Sequence, residues 1–164
     1  MLCRARGEFS NLIIPGFFTH AAIYTPQGQE ICDEVLTEAV GEGVQHKDII
    51  TFLTQHDYVA ILEPNFLGDR KEEIMRYAAE IAIEQIGKPY DFEMEWCDHD
   101  IKAFYCSELV WYAYDQAFAR YGIQNPLIPK ESLGEDAYKP SDFFESKFIT
   151  TLWDSRVKSI SLVV

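Results

Sequence analysis

Apolar and other residues alternate along residues 17–25, and this period of two predicts a β-strand. A Pro-Gln-Gly turn signal follows it, and residues 30–40 resume the alternation as a returning strand, so we expect a β-hairpin. The Gly-Glu-Gly segment at residues 41–43 is expected to end the returning strand. A third strand is predicted at residues 58–62, stopped by Pro64.

Two longer segments have the period of an amphipathic α-helix, residues 69–86 and residues 106–120. In the first, Asp69 and Glu72 match a capping box, and Gly87 stands where a helix C-terminus favours glycine. Shorter patterns predict three further elements, which are a helix at residues 48–53 and strands at residues 148–153 and 157–164.

The composition is that of one ordered, acidic domain. A chain of 164 residues with 48% hydrophobic residues can bury a sizeable core, so we expect a single domain over residues 1–164. The net charge of −13 argues against nucleic acid as a partner. No apolar run is long enough to span a membrane and no signal peptide is evident, so a cytoplasmic location is expected. The aromatic content, 14%, leaves room for a homo-oligomer interface.

The four cysteines follow no framework of a disulfide-rich secreted protein, so reduced thiols are expected; they are Cys3, Cys32, Cys97 and Cys106. Cys97 and His99, with Cys106 as a third ligand, match no zinc spacing, and a fourth ligand is not evident. We therefore expect neither a metal nor a cofactor.

Cys106 lies where an aromatic segment turns into the second long helix. The first turn of a helix carries free N–H groups and a partial positive charge, which favour a thiolate. A nucleophilic thiolate also needs a proton-transferring partner and a group that orients it. His20, in the first predicted strand, is the candidate partner, and Glu38 on the returning strand is preferred as orienting group, with Glu34 as its competitor. Taken singly, Cys106 and His20 each fit a buried structural residue better than a catalytic one, and Glu38 could be a solvent-facing strand carboxylate.

Two tyrosines are candidates for substrate contact. Tyr90 follows a Gly-Lys-Pro turn and its hydroxyl is predicted to line the site or assist an oxyanion, and Tyr105 directly precedes the nucleophile. The backbone N–H of the cysteine itself is expected to supply one oxyanion donor. The acidic loop at residues 93–100 is a candidate lid, although an ordinary surface loop is the preferred interpretation. His46 and His56 lie in polar contexts that predict exposure. Glu108 is expected to favour the helix N-terminus electrostatically while partly opposing the thiolate.

Four motifs stand in one order along the chain: THAAIY at residues 19–24, TEAV at 37–40, GKPYDF at 87–92 and YCSELV at 105–110. Over residues 1–115 this order resembles the YiiX-like branch of the NlpC-type papain-fold cysteine peptidases, in which circular permutation places the histidine before the cysteine. The resemblance implies an α+β fold, with an antiparallel sheet packed against the cysteine-bearing helix. It also implies Cys106 as nucleophile, His20 as general base and Glu38 as orienting residue.

The implied reaction is hydrolysis of an amide bond, in a cell-wall-type peptide or a related small amide, through a thioester intermediate. Two alternatives remain open: a lipid acyltransferase or thioesterase on the same fold, and a non-catalytic module that binds small amines or lipids. One departure stands out. Members of this branch usually open with a Gly-Asp-containing strand, whereas Met1 and the residues after it match only the end of such a strand.

Overall fold

The computed structural model describes residues 1–4, 14, 16–27, 35–65, 68–94, 101–127 and 138–157. Within these residues the strands are β1 (Leu2–Arg4), β2 (His20–Tyr24), β3 (Val35–Val40), β4 (Gly43–Asp48), β5 (Tyr58–Pro64) and β6 (Ile149–Asp154). They form one sheet in the order β4-β3-β2-β1-β5-β6, and neighbouring strands run antiparallel throughout. The antiparallel sheet expected for the α+β fold is therefore present.

The α-helices in the described part of the chain are α1 (Ile49–Gln55), α2 (Lys71–Glu84), α3 (Cys106–Ala119) and α4 (Pro140–Glu145). Helix α3 packs against α2 and against β2 and β3. Ile23 of β2, Ile74 of α2 and Phe118 of α3 belong to one buried cluster between these elements. Burial of this apolar surface fixes α3 on the sheet, and with it the position of Cys106.

The sheet differs from the predicted strands at two places. Strand β2 begins at His20 rather than at residue 17, because the Phe18 backbone N–H donates to the Ser141 hydroxyl at 3.1 Å instead of to a neighbouring strand. Strand β4 was not predicted, since residues 41–43 were expected to end the hairpin. The chain turns at residues 41–42 and continues as a strand from Gly43, whose φ of +110° suits glycine.

The predicted start of α2 is wrong by two residues. A 3₁₀ turn over Gly68–Arg70 precedes the helix, so Asp69 lies in that turn, and no side chain caps the helix at Arg70. The helix ends at Glu84, and Gly87, with φ +91°, lies in the turn beyond it. Helix α3 runs as predicted.

The C-terminal third adds elements that the sequence pattern did not indicate or placed differently. Helix α4 was missed, whereas β6 appears within one residue of its prediction and pairs with β5. Strand β5 extends two residues beyond its prediction and includes Pro64, which was expected to end it. Of the strand predicted at residues 157–164, only Val157 is described and it is not in a strand; residues 158–164 lie outside the described residues, as do residues 28–34.

Candidate active site

Cys106 is the first residue of α3. Tyr105 before it is extended, with φ −92° and ψ 169°, and provides no side-chain cap. The N–H groups of the first helical turn have no partners inside the helix, and the partial positive charge there favours an anion. Cys106 is 2% exposed, so its thiol lies within the protein rather than on its surface.

His20 is the first residue of β2 and bonds directly to Glu38 of β3. The imidazole Nε2–H donates to Glu38 Oε2 at 2.9 Å. In the register of the two strands Ala22 lies opposite Glu38, so His20 is the diagonal neighbour of Glu38 on the same face of the sheet. Because Nε2 is occupied by the carboxylate, Nδ1 is the ring nitrogen left for a second partner.

That second partner is the Cys106 thiol. Burial lowers the pKa of His20, but hydrogen bonds and charge interactions with Cys106 and Glu38 outweigh it and raise that pKa to about 10. Burial alone would raise the pKa of Cys106. The hydrogen bond and charge of His20, together with hydrogen bonds from the Ala21 N–H and the Ser107 hydroxyl, outweigh burial, so this pKa falls below its ordinary value. The opposite shifts favour a thiolate–imidazolium pair.

Glu38 is 3% exposed, yet its pKa lies below the ordinary value. Burial acts to raise this pKa, and it is outweighed by the hydrogen bond and charge of His20, by the charge of Lys47 and by a hydrogen bond from Gln45. The carboxylate is therefore charged and can hold the imidazole in one orientation.

Helix α1 and the residue after it cover the ring of His20. The fully buried ring of Phe52 has its centroid 6.2 Å from that of the His20 imidazole. The ring of His56 stacks on the His20 imidazole, with a centroid distance of 6.3 Å and an interplanar angle of 15°. His56 Nδ1–H donates to the Phe52 carbonyl at 2.7 Å, which fixes its ring. The prediction that His56 is exposed is wrong, since it is half-buried, whereas His46 is exposed. Nothing in the local sequence distinguishes the two histidines.

Tyr90 is held beside the approach to α3 by a short parallel bridge with Phe104. The Asp91 N–H donates to the Phe104 carbonyl at 3.1 Å, and the Phe104 N–H donates to the Pro89 carbonyl at the same distance. Burial and the charges of Cys106 and Asp91 raise the pKa of Tyr90, so its hydroxyl keeps its proton and can act as a donor.

Tyr105 is buried and bonded to the segment that leads into α4. Its side chain is 2% exposed, and its hydroxyl accepts the backbone N–H of Tyr138 at 3.0 Å. The ring therefore packs under the start of α3 and offers little surface to a substrate. The substrate contact expected of Tyr105 stays a prediction, and its backbone leads directly to the nucleophile.

Glu108 is 1% exposed, and neither carboxyl oxygen has a hydrogen-bond partner within the described ranges. Burial raises its pKa to about 8, and the charge of Asp91 adds to this shift. Glu108 is thus mostly uncharged at neutral pH. The expectation of a charged first-turn carboxylate that opposes the thiolate is corrected accordingly.

Several candidates from the sequence fall outside the described residues, namely Glu34, Cys32, Cys97, His99 and residues 95–100 of the proposed lid. Among the residues that are described, no three of His, Cys, Asp and Glu are grouped in a way that could hold a metal ion. The same residues contain no helix long and apolar enough to cross a membrane.

A cysteine at the start of a helix, paired with a histidine on an antiparallel sheet, is the arrangement of papain-like cysteine hydrolases. The family model of Peptidase_C92, described as the permuted papain-like amidase enzymes YaeF/YiiX, matches residues 1–154. The chain belongs to this family. The match extends beyond residues 1–115, where the motifs were recognised, and so includes α4 and β6.

The fold is also that of a solved structure, described as the metalloprotein YiiX from Escherichia coli O157:H7. The two chains share 21% sequence identity, the match covers 93% of each, and the TM-score is 0.69. At this identity the likeness establishes the permuted papain-like fold. No curated protein sequence matches the chain.

Proposed function

We propose that this chain is a cysteine amidase in which Cys106 is the nucleophile, His20 the acid–base and Glu38 the orienting residue. The observation that carries the proposal is the position of one imidazole between a thiol and a buried carboxylate, with the Cys106 pKa lowered and the His20 pKa raised. Membership of the permuted papain-like amidase family supports the same reading.

The proposed reaction begins when the Cys106 thiolate attacks the carbonyl carbon of an amide. The Cys106 backbone N–H, in the first turn of α3, donates to the developing oxyanion, and the Tyr90 hydroxyl, whose pKa the charge of Cys106 helps to raise, is proposed as a second donor. As the carbon–nitrogen bond breaks, His20 gives its proton to the leaving amine and a thioester remains. Water then attacks the thioester, His20 accepts the water proton, and the acid leaves as the thiolate is restored.

The test is the pH dependence of Cys106 alkylation by iodoacetamide, followed by mass spectrometry. The wild type should react rapidly at pH 6, well below the ordinary thiol pKa of about 8.5, and His20→Ala should lose this reactivity. His46→Ala is the matched control, because His46 is exposed and lies outside the triad. Slow alkylation that His20→Ala leaves unchanged would show an inert cysteine and reject the proposal.

One observation favours the acyl-group alternative as a second candidate. A mostly apolar cavity of about 920 Å³ lies beside the sheet and is lined by residues that include Leu2, Ala21, Leu62, Met75 and Val110. Ala21 also donates its N–H to the Cys106 thiol, and Val110 follows Cys106 by one turn, about 6 Å along the helix axis. The triad residues do not line the cavity, which approaches the nucleophile only through Ala21 and Val110, and its apolar lining suits an apolar substituent.

Turnover of matched amides separates the candidates. Dipeptide amides and N-acyl amides with short or long chains should release amine at different rates. Faster amine release from dipeptide amides supports the peptide amidase. Much faster amine release from amides with long acyl chains supports the acyl alternative instead. Thermal stabilisation by these compounds without turnover, in a protein with an unreactive Cys106, supports the binding module.

A further inference from the structure

Three polar side chains lie on one face of the neighbouring strands β2, β3 and β4: His20, Glu38 and Gln45. Gln45 is directly opposite Glu38 in the β3–β4 register, and Ala22 is opposite Glu38 in the β2–β3 register. Directly opposite residues of antiparallel strands have Cβ atoms about 4.5–5.5 Å apart and point to the same face. Gln45 therefore meets Glu38 from the side away from His20.

The chemistry of Gln45 suits a buried carboxylate. Its side chain hydrogen-bonds Glu38, and the amide NH₂ is the group of glutamine that can donate to a carboxylate. Glu38 is nearly completely buried, so its charge needs donors in place of water. The charged and titratable groups that act on it are His20 on β2 and Lys47 on β4, and Lys47 contributes charge rather than orientation.

We propose that Gln45 is a positioning residue for the candidate triad, which donates to the Glu38 carboxylate and keeps it turned toward His20. This inference rests on the proposed function. Through Glu38, Gln45 holds the imidazole with Nε2 toward the carboxylate and Nδ1 toward Cys106. It touches neither the thiol nor, in the proposed reaction, the substrate.

Strand β4 has other contacts that hold it in place without Gln45. The Val44 N–H donates to the Lys88 carbonyl at 2.9 Å, and the Gly87 N–H donates to the Val44 carbonyl at the same distance. Six residue pairs join β4 to β3 through its whole length. A change in the Gln45 amide should therefore alter the charge balance of Glu38 while the strand remains paired.

Two nearly isosteric variants test the inference. Gln45→Met removes the donor, and Gln45→Glu replaces it with a carboxylate that repels Glu38. Gln27→Met is the matched control, because Gln27 bonds to His46 and not to the triad. The readout is the pH profile of Cys106 alkylation in the full chain, and thermal unfolding of each variant confirms that it folds.

The expected order of alkylation rates at pH 6 is wild type, then Gln45→Met, then Gln45→Glu. We expect Gln45→Met to be roughly three- to tenfold slower, with the acidic half-point of its profile shifted upward. Gln27→Met should match the wild type. A packing role would not separate Gln45→Glu from the wild type, because the two side chains have the same shape.

The outcomes distinguish this inference from the proposed function. If the wild type is activated and depends on His20 while both Gln45 variants keep its profile, the function stands and the role of Gln45 is refuted. The same refutation follows if Gln45→Met and Gln45→Glu are slowed equally with an unchanged half-point. If the wild type itself is inert at pH 6 and indifferent to His20→Ala, the proposed function fails and the inference fails with it.

Discussion

Glu108→Gln should make the stability of this protein less dependent on pH. Glu108 is 1% exposed, its pKa is raised to about 8, and neither carboxyl oxygen has a hydrogen-bond partner in the part of the chain that the structure describes. The folded protein thus holds this proton to a higher pH than the unfolded chain, where the pKa takes its ordinary value of 4.5. Stability must fall as pH rises between these two values.

The size of the effect follows from the gap between the two pKa values. Each pH unit in this window lowers the free energy of unfolding by about 1.4 kcal/mol, so the loss between pH 4.5 and pH 7 is about 3 kcal/mol. Glutamine has the same shape and does not ionise, so Glu108→Gln lacks this loss. The cost or gain of the amide itself is independent of pH and cancels when two pH values are compared.

The assay is urea unfolding of both proteins at several pH values from 4.5 to 9. The stability of Glu108→Gln relative to the wild type should rise by about 3 kcal/mol from pH 4.5 to pH 7 and level off above pH 8. Glu80→Gln is the control, since Glu80 pairs with Arg76 on an exposed helical surface and should show a change of less than about 0.5 kcal/mol. If the free energy of unfolding changes with pH in the same way in the wild type and in Glu108→Gln, the reasoning is refuted.

Three further changes test the site and its support. Glu38→Gln keeps a side-chain oxygen for the imidazole but removes the charge, so alkylation of the nucleophile at pH 6 should slow about tenfold, and a rate within about twofold of the wild type would contradict this. Gly43→Ala should cost about 2 kcal/mol or more in urea unfolding, because φ is +110° and a Cβ would lie 2.6 Å from the Lys88 carbonyl oxygen. Gly41→Ala, whose Cβ would lie 3.9 Å from its nearest neighbour, is the control. Equal urea midpoints for Gly43→Ala and Gly41→Ala would refute the argument. Phe52→Ala should lower the free energy of unfolding by about 3–5 kcal/mol, because it leaves a cavity beside the imidazole. A loss below about 1 kcal/mol would contradict this and show that neighbouring side chains fill the space.

The local pattern was sufficient for the elements that carry the candidate triad. Helix α3 begins at Cys106 as predicted, because the apolar period and the extended Tyr105 mark the same boundary. His20 lies on a strand and Glu38 on its hairpin neighbour, as the alternation indicated. The order of the four motifs led to the family that the match over residues 1–154 shows.

The local pattern was insufficient where polar residues occupy a strand or where packing decides a short helix. Strand β4 contains Gln45, His46 and Lys47 in succession, and a run of this kind has no apolar alternation to signal its pairing. Helix α4 has six residues, too few for a helical period to be read with confidence from one sequence. Helix α4 bonds to Phe18, far away in the chain, and β4 pairs with the preceding strand β3 and bonds to Gly87 and Lys88.

The sequence by itself determined which chemical groups are present and which segments form the longer helices and the strands of the candidate triad. Those features depend on side-chain period, capping and turn residues, which act over a few positions along the chain. Only the tertiary structure decided that Glu38 meets His20 at 2.9 Å, that Gln45 lies opposite Glu38, and that Glu108 is buried without its charge. Register and burial are set by contacts between residues far apart in the chain, and a pKa depends on those contacts rather than on the residue's neighbours in sequence.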